Sequence, residues 1–433
     1  MFAYYLSLAL RSLKRNKVLT ALMILALALG IGASITTLTV VGVLARDPLP
    51  QKSAQLFHPQ IDPLPKEGYV PGQTRPGYTF TYTDAMNLLR AHKATRQAAV
   101  AMLPVKIMSQ RTGNRPFFSS GALTTTDFFP MFDAPFQYGS GWAATDDDGR
   151  ANVAVIADFV NDKLFGGANS VGKTIRINDH DFRIVGVLKH WAPQPRFYAA
   201  ELDGRNYGDG DAVLLPLRTA LAAGMNTPYI GCYTEGDQRN LETAPCTWLG
   251  VWVELASDDA VADYKNFLSN YVHEQIALGR FYRTDIALPD LMWLMHIEKV
   301  VPDTVRLKAG LSVGFLLICI LNTVGLLLAK CLRRSQEIGV RRALGATRGA
   351  IFAQFMVEAG IVGLAGGVLG LLFAELGLWA TRHQSSEYAS LARLNVHMFL
   401  LTFVVALVAS LAAGLLPAWR ASGLAPAPQL KAG

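Results

Sequence analysis

Residues 167–174, Gly-Ala-Asn-Ser-Val-Gly-Lys-Thr, satisfy the phosphate-loop spacing G-x-x-x-x-G-K-[ST]. Such a loop holds phosphates because backbone N–H groups at the start of a helix point at them, so it must lie between a buried strand and that helix. The order here is different. Residues 153–156 read as a short buried strand, Asp158 caps a brief helix through Phe165, and the glycine loop follows that helix. Residues 174–177 and 182–188 then read as a hairpin across the turn Asn178, Asp179, His180 and Asp181. No acidic residue closing an apolar strand offers a magnesium partner. Gly167 and Gly172 therefore read as turn residues and Lys173 as a solvated cation. The acidic run Asp146, Asp147, Asp148 lacks the alternate-residue spacing of a calcium loop and reads as a solvated turn. No Ser/His/Asp or Cys/His set declares itself, no Cys/His cluster has zinc spacing, and the 8 histidines, such as His296, are scattered.

The elements that would carry any site are set by hydropathy. At 433 residues, 51% hydrophobic and 17% charged, with mean hydropathy +0.25, the chain is too apolar for an average soluble protein. The surplus is concentrated. Residues 18–45, 309–329 and 398–419 contain no charge, and residues 349–380 only Glu358 and Glu375. A helix needs about 20 apolar residues to cross the hydrocarbon, so four spans are expected. The first uncharged run, about 28 residues, far exceeds a signal peptide's apolar core, so it reads as an uncleaved anchor despite small residues at Val43 and Ala45.

Cations fix the expected orientation. Arg11, Lys14, Arg15 and Lys17 precede the first span; Lys330, Arg333, Arg334, Arg341, Arg342 and Arg348 lie between the second and third. Cytoplasmic loops carry such an excess, which puts both termini in the cytosol and residues 46–308 outside. Residues 47–307 hold about 24 Lys+Arg against 29 Asp+Glu, so the net charge of +7 arises near the membrane and is no nucleic-acid footprint. Cys319 and Cys331 lie in the second span and at its cytosolic mouth, where thiols stay reduced. Cys232 and Cys246 lie outside, where a disulfide would close a loop of about 15 residues and contribute roughly 3 kcal/mol; the alternative is two unpaired buried thiols.

The outside domain reads as mixed α+β. Residues 248–255 have strand character, and residues 262–278 carry Tyr264, Phe267, Leu268, Tyr271 and Ile276 at helical spacing. Residues 62–77 read as a loop, and residues 291–307 as a helical stalk kinked at Pro302. Between the second and third spans, residues 335–344 are too short to cross and too basic to bury, yet Ile338, Val340, Ala343 and Leu344 give them an apolar side; Gly345 ends the turn and Thr347 caps the next helix. That describes a short amphipathic helix at the cytosolic surface, either a topology signal among anionic headgroups or a docking element.

Arg334, Glu337, Ile338, Gly339, Arg341, Arg342, Ala343, Leu344, Gly345 and Ala346, followed by Gln354 and Glu358, resemble the signature of the MacB/FtsX-like ABC permeases, a family that includes the lipoprotein-releasing permeases. Asn322 with Gly325, the segment ALRSLKRNK before the first span and PAWRAS closing the fourth fit the same pattern, and residues 153–187 resemble the MacB-type periplasmic core domain. The resemblance implies four transmembrane helices with a large α+β extracytoplasmic domain between the first and second. The divisions would be an amphipathic N-terminal segment (1–17), spans 18–45, 309–329, 349–380 and 398–419, a periplasmic domain (46–308), a coupling loop (330–348), a short periplasmic loop (381–397) and a cytosolic tail (420–433). It implies a bacterial inner-membrane permease that pairs with a second permease subunit, identical or paralogous, and with a cytosolic ABC ATPase dimer. ATP and magnesium would bind that partner and no cofactor or metal this chain, since about 17 residues precede the first span and MacB itself carries a fused ATPase. The coupling residues would be Arg333, Arg334, Glu337, Ile338, Gly339, Arg341, Arg342, Ala343, Leu344, Gly345 and Ala346. Family members move the outside domain instead of passing substrate through the bilayer, a mode called mechanotransmission.

Gly363 with Gly367, and Gly366 with Gly370, form two overlapping G-x-x-x-G spacings for close helix approach, within one subunit or at a dimer seam. Asn322 is expected to hydrogen-bond across helices, Glu358 to pair with a basic loop residue, and Glu375 to reach the outer interface. No chain of titratable groups suggests a proton relay. Three functions fit the resemblance: a MacB-type exporter with a periplasmic adaptor and an outer-membrane channel, a lipoprotein-releasing permease, or an FtsX-like regulator of cell-wall hydrolases. About 260 outside residues count against the last. A membrane-anchored enzyme lacks a catalytic constellation.

Overall fold

The computed structural model describes residues 2–66, 75–108, 115–199, 202–232, 240–383, 391, 393–394 and 396–423. Parts of the expected loops at 62–77 and 381–397 and most of the tail at 420–433 lie outside the described residues. The chain divides into two compact units, Arg46–Val300 and a second made of Met1–Ala45 with Val301–Gly433.

Among the described residues the membrane unit holds four helices long and apolar enough to cross a bilayer: Lys17–Leu44, Asp303–Arg333, Arg348–Arg382 and Val396–Gly423. A helix at Phe2–Arg15 precedes the first, and a short helix at Ser335–Ala343, the hook, joins the second to the third. The second span is longer than its uncharged run. Its helix starts at Asp303, after Pro302, and no continuous stalk precedes it: Leu291–Ile297 is a separate helix capped by Asp290, and Lys299 takes a positive φ of 48° in the break. Proline cannot donate the backbone bond that would continue a helix through it, so it sits ahead of the first turn and not in a kink. The fourth helix carries Pro417 inside it.

The two glycine stripes of the third span point at different neighbours. A methyl on Gly367 would stand 2.8 Å from the Ala406 Cβ, and one on Gly363 would run into Ser410, both on the fourth span. A methyl on Gly370 would stand 3.0 Å from the Ile31 Cγ2, and one on Gly366 3.2 Å from the Leu27 Cβ, both on the first. The four glycines therefore serve packing within one subunit. They let three helices approach closely where apolar burial alone drives nothing in lipid.

Among the described residues the inserted unit has thirteen strands: β1 (Leu56–Phe57), β2 (Gln60–Ile61), β3 (Arg96–Met108), β4 (Phe117–Thr124), β5 (Phe136–Gly139), β6 (Val153–Ile156), β7 (Thr174–Ile177), β8 (His180–Leu188), β9 (Val213–Pro216), β10 (Gly231–Cys232), β11 (Cys246–Thr247), β12 (Gly250–Glu254) and β13 (Ile286–Ala287). The pairings β3–β4, β4–β9, β9–β6, β6–β8, β8–β7 and β7–β3 return to their start, so six strands close a ring. Leu103, Val105, Ile107, Leu123, Ile156, Ile175, Phe182 and Val213 are buried in its core. Strands β6 and β9 are buried at every residue, which is why they read as unbroken apolar runs. Strands β12 and β1 extend the sheet beyond β3, and β5 pairs with β8.

The β7–β8 hairpin turns on two residues and not four: Asn178 and Asp179 take φ of 46° and 70°, the primed-turn geometry that matches strand twist, and the Asn178 Oδ1 accepts the Lys106 N–H at 2.7 Å. Strand β8 therefore begins at His180. Asp158 is the first helical residue, with Ala157 at the cap position. The run 146–148 is not a solvated turn. It ends a helix, Ala144–Asp148, and Asp147 accepts from the Thr126 N–H at 2.8 Å and the Trp142 Nε1–H at 3.0 Å. Cys232 and Cys246 are disulfide-bonded and face each other across the β10–β11 pair. A buried charge network ties residues 196–211 together: Arg196 contacts Asp211 at 3.1 Å and Asp203 at 3.3 Å, and the Tyr198 hydroxyl donates to Asp211 at 2.6 Å.

Candidate coupling site

The phosphate-loop spacing builds no cradle. The loop follows the helix Asp158–Phe165 and leads into β7, and its amides are spent inside the fold: the Gly172 N–H on the Ile184 carbonyl at 2.8 Å, the Lys173 N–H on the Ser170 carbonyl at 3.0 Å, and the Val171 N–H on the Asn169 Oδ1 at 3.0 Å. The Gly167 and Gly172 φ values of 79° and 85° are turn conformations, and Lys173 is exposed beside the Phe165 ring.

The hook is built by local rules. Gly345 takes a φ of 99°, which stops the helix, and the Thr347 Oγ1 accepts the Ala350 N–H at 3.2 Å to start the third span. Its apolar residues do not form one side. Ile338 is 5% exposed and, with Gly339, turns inward, where Ile338 packs with Cys331, Ile351, Phe355, Ala418 and Ala421. Val340 and Leu344 are 46% and 83% exposed, with Ala343 exposed beside them. The helix thus spends one apolar stripe on its own subunit and leaves a second uncovered.

Polar contacts anchor it. Within the hook the Arg341 Nη2 donates to the Glu337 Oε1 at 2.7 Å, an i,i+4 pair, while its Nη1 donates to the Gln354 Oε1 of the third span at 3.1 Å. Arg15 of the N-terminal helix lies 3.7 Å from Glu337. Arg334, at the junction with the second span, donates to the Ser12 hydroxyl and, at 3.3 Å, to the Ser12 carbonyl. Arg333, Gly345 and Ala346 flank the hook; Arg333 is exposed, and Ala346 packs against the Ile338 cluster. Arg342 is half-buried.

Beneath the hook lies the ion pair expected of Glu358. Glu358 and Lys330 are both fully buried, and the Lys330 ammonium donates to the Glu358 carboxylate. The Ser12 hydroxyl donates to the same oxygen at 2.7 Å, and Arg334 lies 4.0 Å from the other. The partner is therefore the first basic residue of the loop 330–348, which the structure makes part of the second span's helix, with Arg334 behind it. The signal was present: a carboxylate inside an apolar run needs a cation, and Lys330 and Arg334, four apart, share a helix face. Glu375 pairs with Arg382 at 2.7 Å and is half exposed.

Asn322 departs from expectation. It is exposed on the second span and has no hydrogen-bond partner among the described residues. The hydroxyls that do bridge the first and second spans are those of Ser34, donating to the Ser312 carbonyl at 3.0 Å, and Thr37, 2.5 Å from the Ser312 hydroxyl.

Two family models match the chain: the MacB-like periplasmic core domain over residues 20–270 and the FtsX-like permease C-terminal over residues 309–426. Among curated relatives, the pyoverdine export ATP-binding/permease protein PvdT of Pseudomonas aeruginosa is 27% identical over 95% of this chain and 56% of its own length. The macrolide export ATP-binding/permease protein MacB of Chlorobium luteolum is 24% identical over 99% of this chain and 60% of its own. The chain thus spans less than two thirds of each. Of solved structures, the periplasmic region of MacB from Actinobacillus actinomycetemcomitans aligns with a TM-score of 0.38 and 13% identity, covering 59% of this chain and 98% of that one.

Proposed function

From the premise that this chain belongs to the MacB/FtsX-like family of ABC transporter permeases, we propose that it is the permease subunit of a mechanotransmission exporter in the bacterial inner membrane. A separate cytosolic ATPase dimer binds ATP and magnesium and pushes the hook; the periplasmic domain moves in response and extrudes substrate from the periplasm or membrane, with an adaptor and an outer-membrane channel as further partners. Both termini face the cytosol. The pyoverdine and macrolide export named for the relatives supports an export role.

The observation that carries this reading is the divided hook. A helix resting on headgroups for topology alone has no reason to bury Ile338 and Gly339 in its own subunit and hold Val340 and Leu344 outward on a framework of Arg341, Gln354 and Arg15. Such a framework fixes where a partner would meet it. Because the hook is tied to the N-terminal helix, the second span and the third span, a push on it is shared by all three.

Replacing Glu337 and Arg341 together by alanine removes two of those ties. The expected outcome is loss of ATPase co-purification with membrane insertion intact, measured by pull-down from solubilised membranes; retained co-purification would argue against docking there.

Asn322 supports a second permease subunit. An amide in the hydrocarbon is stabilised by an interhelical partner, worth about 0.6–2 kcal/mol, and its own subunit supplies none among the described residues. Asn322→Cys should cross-link two copies under mild oxidation in membranes, and a monomer-only product would rule out a symmetric contact at this position.

A further inference from the structure

Where the chain leaves the inserted unit, the helix Leu291–Ile297 buries one face and leaves another bare. Leu291, Leu294 and Met295 are buried, while Met292 and Trp293 are 37% and 56% exposed and the exposed His296 ring stacks on the indole at 5.4 Å. The bare face is held in place. Asp290 caps the helix by accepting the Trp293 N–H at 2.8 Å, Arg75 lies 3.6 Å from Glu298, and the Tyr207 hydroxyl donates to the Val300 carbonyl at 3.0 Å. The segment that enters the unit meets this helix at the same base: Phe57 bridges Asp290, the His58 N–H donates to the Pro289 carbonyl at 3.0 Å, and residues 53–55 pack against residues 291–297. An exposed indole beside an exposed methionine is an apolar surface in want of a cover.

The length of chain between this helix and the second span limits what can cover it. The inserted unit ends at Val300 and the second span's helix starts at Asp303, three residues on and at most about 10 Å away. The uncharged run begins at Ala309, six helical residues further, about 9 Å. Val300 therefore lies within about 20 Å of the hydrocarbon, and headgroups fill about 5–8 Å of that. The other connection is as short: the first span's helix ends at Leu44, and Leu49 is already buried. Arg46, Arg306 and Lys308 are exposed on the two connections and suit lipid phosphates. Tryptophan, apolar in its body and polar at its N–H, is enriched at that depth.

We propose that the face made by Met292, Trp293 and His296 rests in the headgroup layer of the leaflet that the second span enters at Asp303, with Trp293 as its anchor. The inference rests on the four spans and the short connections and stands apart from the permease reading. The test uses the full chain in nanodiscs of phosphatidylcholine and phosphatidylglycerol, with a nitroxide on Met292→Cys beside the intact indole. Cys319 and Cys331 are buried and Cys232 is disulfide-bonded to Cys246, so the label goes to the introduced thiol. Collisions with oxygen, which concentrates in lipid, are compared with those of a water-soluble nickel chelate. The reference position is Phe118→Cys, 78% exposed and opposite Lys106, toward the other end of β3 from Arg96, which pairs with Glu254 and through it with Leu56 near the base. The oxygen-to-nickel ratio at Met292→Cys should be at least threefold that at Phe118→Cys. Adding Trp293→Ser, a change at an exposed side chain, should bring it at least halfway back to the reference. Equal ratios at the two positions, as when the face awaits a soluble partner, would overturn the proposal. So would low collision rates with both reagents at Met292→Cys, as when a second copy covers it, or a ratio unchanged by Trp293→Ser.

Discussion

Lys330→Ala will leave the Glu358 carboxylate buried without its cation and will destabilise the membrane unit by about 3–5 kcal/mol, the cost found when one partner of a buried pair is removed. Thermal or SDS-driven unfolding of the purified protein in detergent measures it. Volume is separated from charge by the double variant Lys330→Met with Glu358→Leu, which removes both ions and keeps apolar bulk. That variant should unfold within about 1 kcal/mol of the parent or above it, because desolvating two charges offsets most of what their attraction returns. Ser12 and Arg334 remain to define the pair's surroundings, since both reach the same carboxylate. Equal stability of parent and Lys330→Ala would show that the carboxylate finds other compensation and that the pair is not structural.

Val340→Asp combined with Leu344→Asp will lower ATPase co-purification at least tenfold while leaving insertion and unfolding temperature unchanged. The two side chains are exposed at 46% and 83%, so charging them disturbs no internal packing, and surface changes of this kind fall within about 0.5 kcal/mol in stability. In a contact with another protein the same carboxylates would be desolvated without partners, which costs several kcal/mol. The comparison with Glu337→Ala/Arg341→Ala is informative. That variant loosens the hook from Gln354 and Arg15, whereas the aspartates leave it held and spoil only what it presents. Wild-type recovery of the ATPase with both aspartates in place would remove this face from the coupling mechanism.

How much of this was legible depended on how local the signal was. The four apolar helices, the β7–β8 hairpin, the hook with its Gly345 stop and Thr347 cap, and the Cys232–Cys246 pairing all rest on residues near one another in the chain. Closing the ring through β3 and β7 joins Ile107 to Ile177, and no periodicity in either strand names the other. The glycine stripes were visible as close-approach surfaces, but only their neighbours, Ala406 and Ser410 on one side and Leu27 and Ile31 on the other, show that both are spent within the subunit. In the sequence Lys330 reads as one of the topology-setting cations, because charge near a span end is ambiguous until its partner is seen. In the sequence the hook's apolar residues read as one side, since hydrophobicity marks a residue as fit for burial without saying in which molecule. Asn322 runs in the opposite direction: polarity within the hydrocarbon calls for a partner, and none of the described residues supplies it.

The six strands that close on themselves in the inserted unit have a mechanical meaning. A stave ring has no seam to unzip, so a load on one stave is carried around the whole hoop as shear on many ladders at once. Such a body resists bending under load.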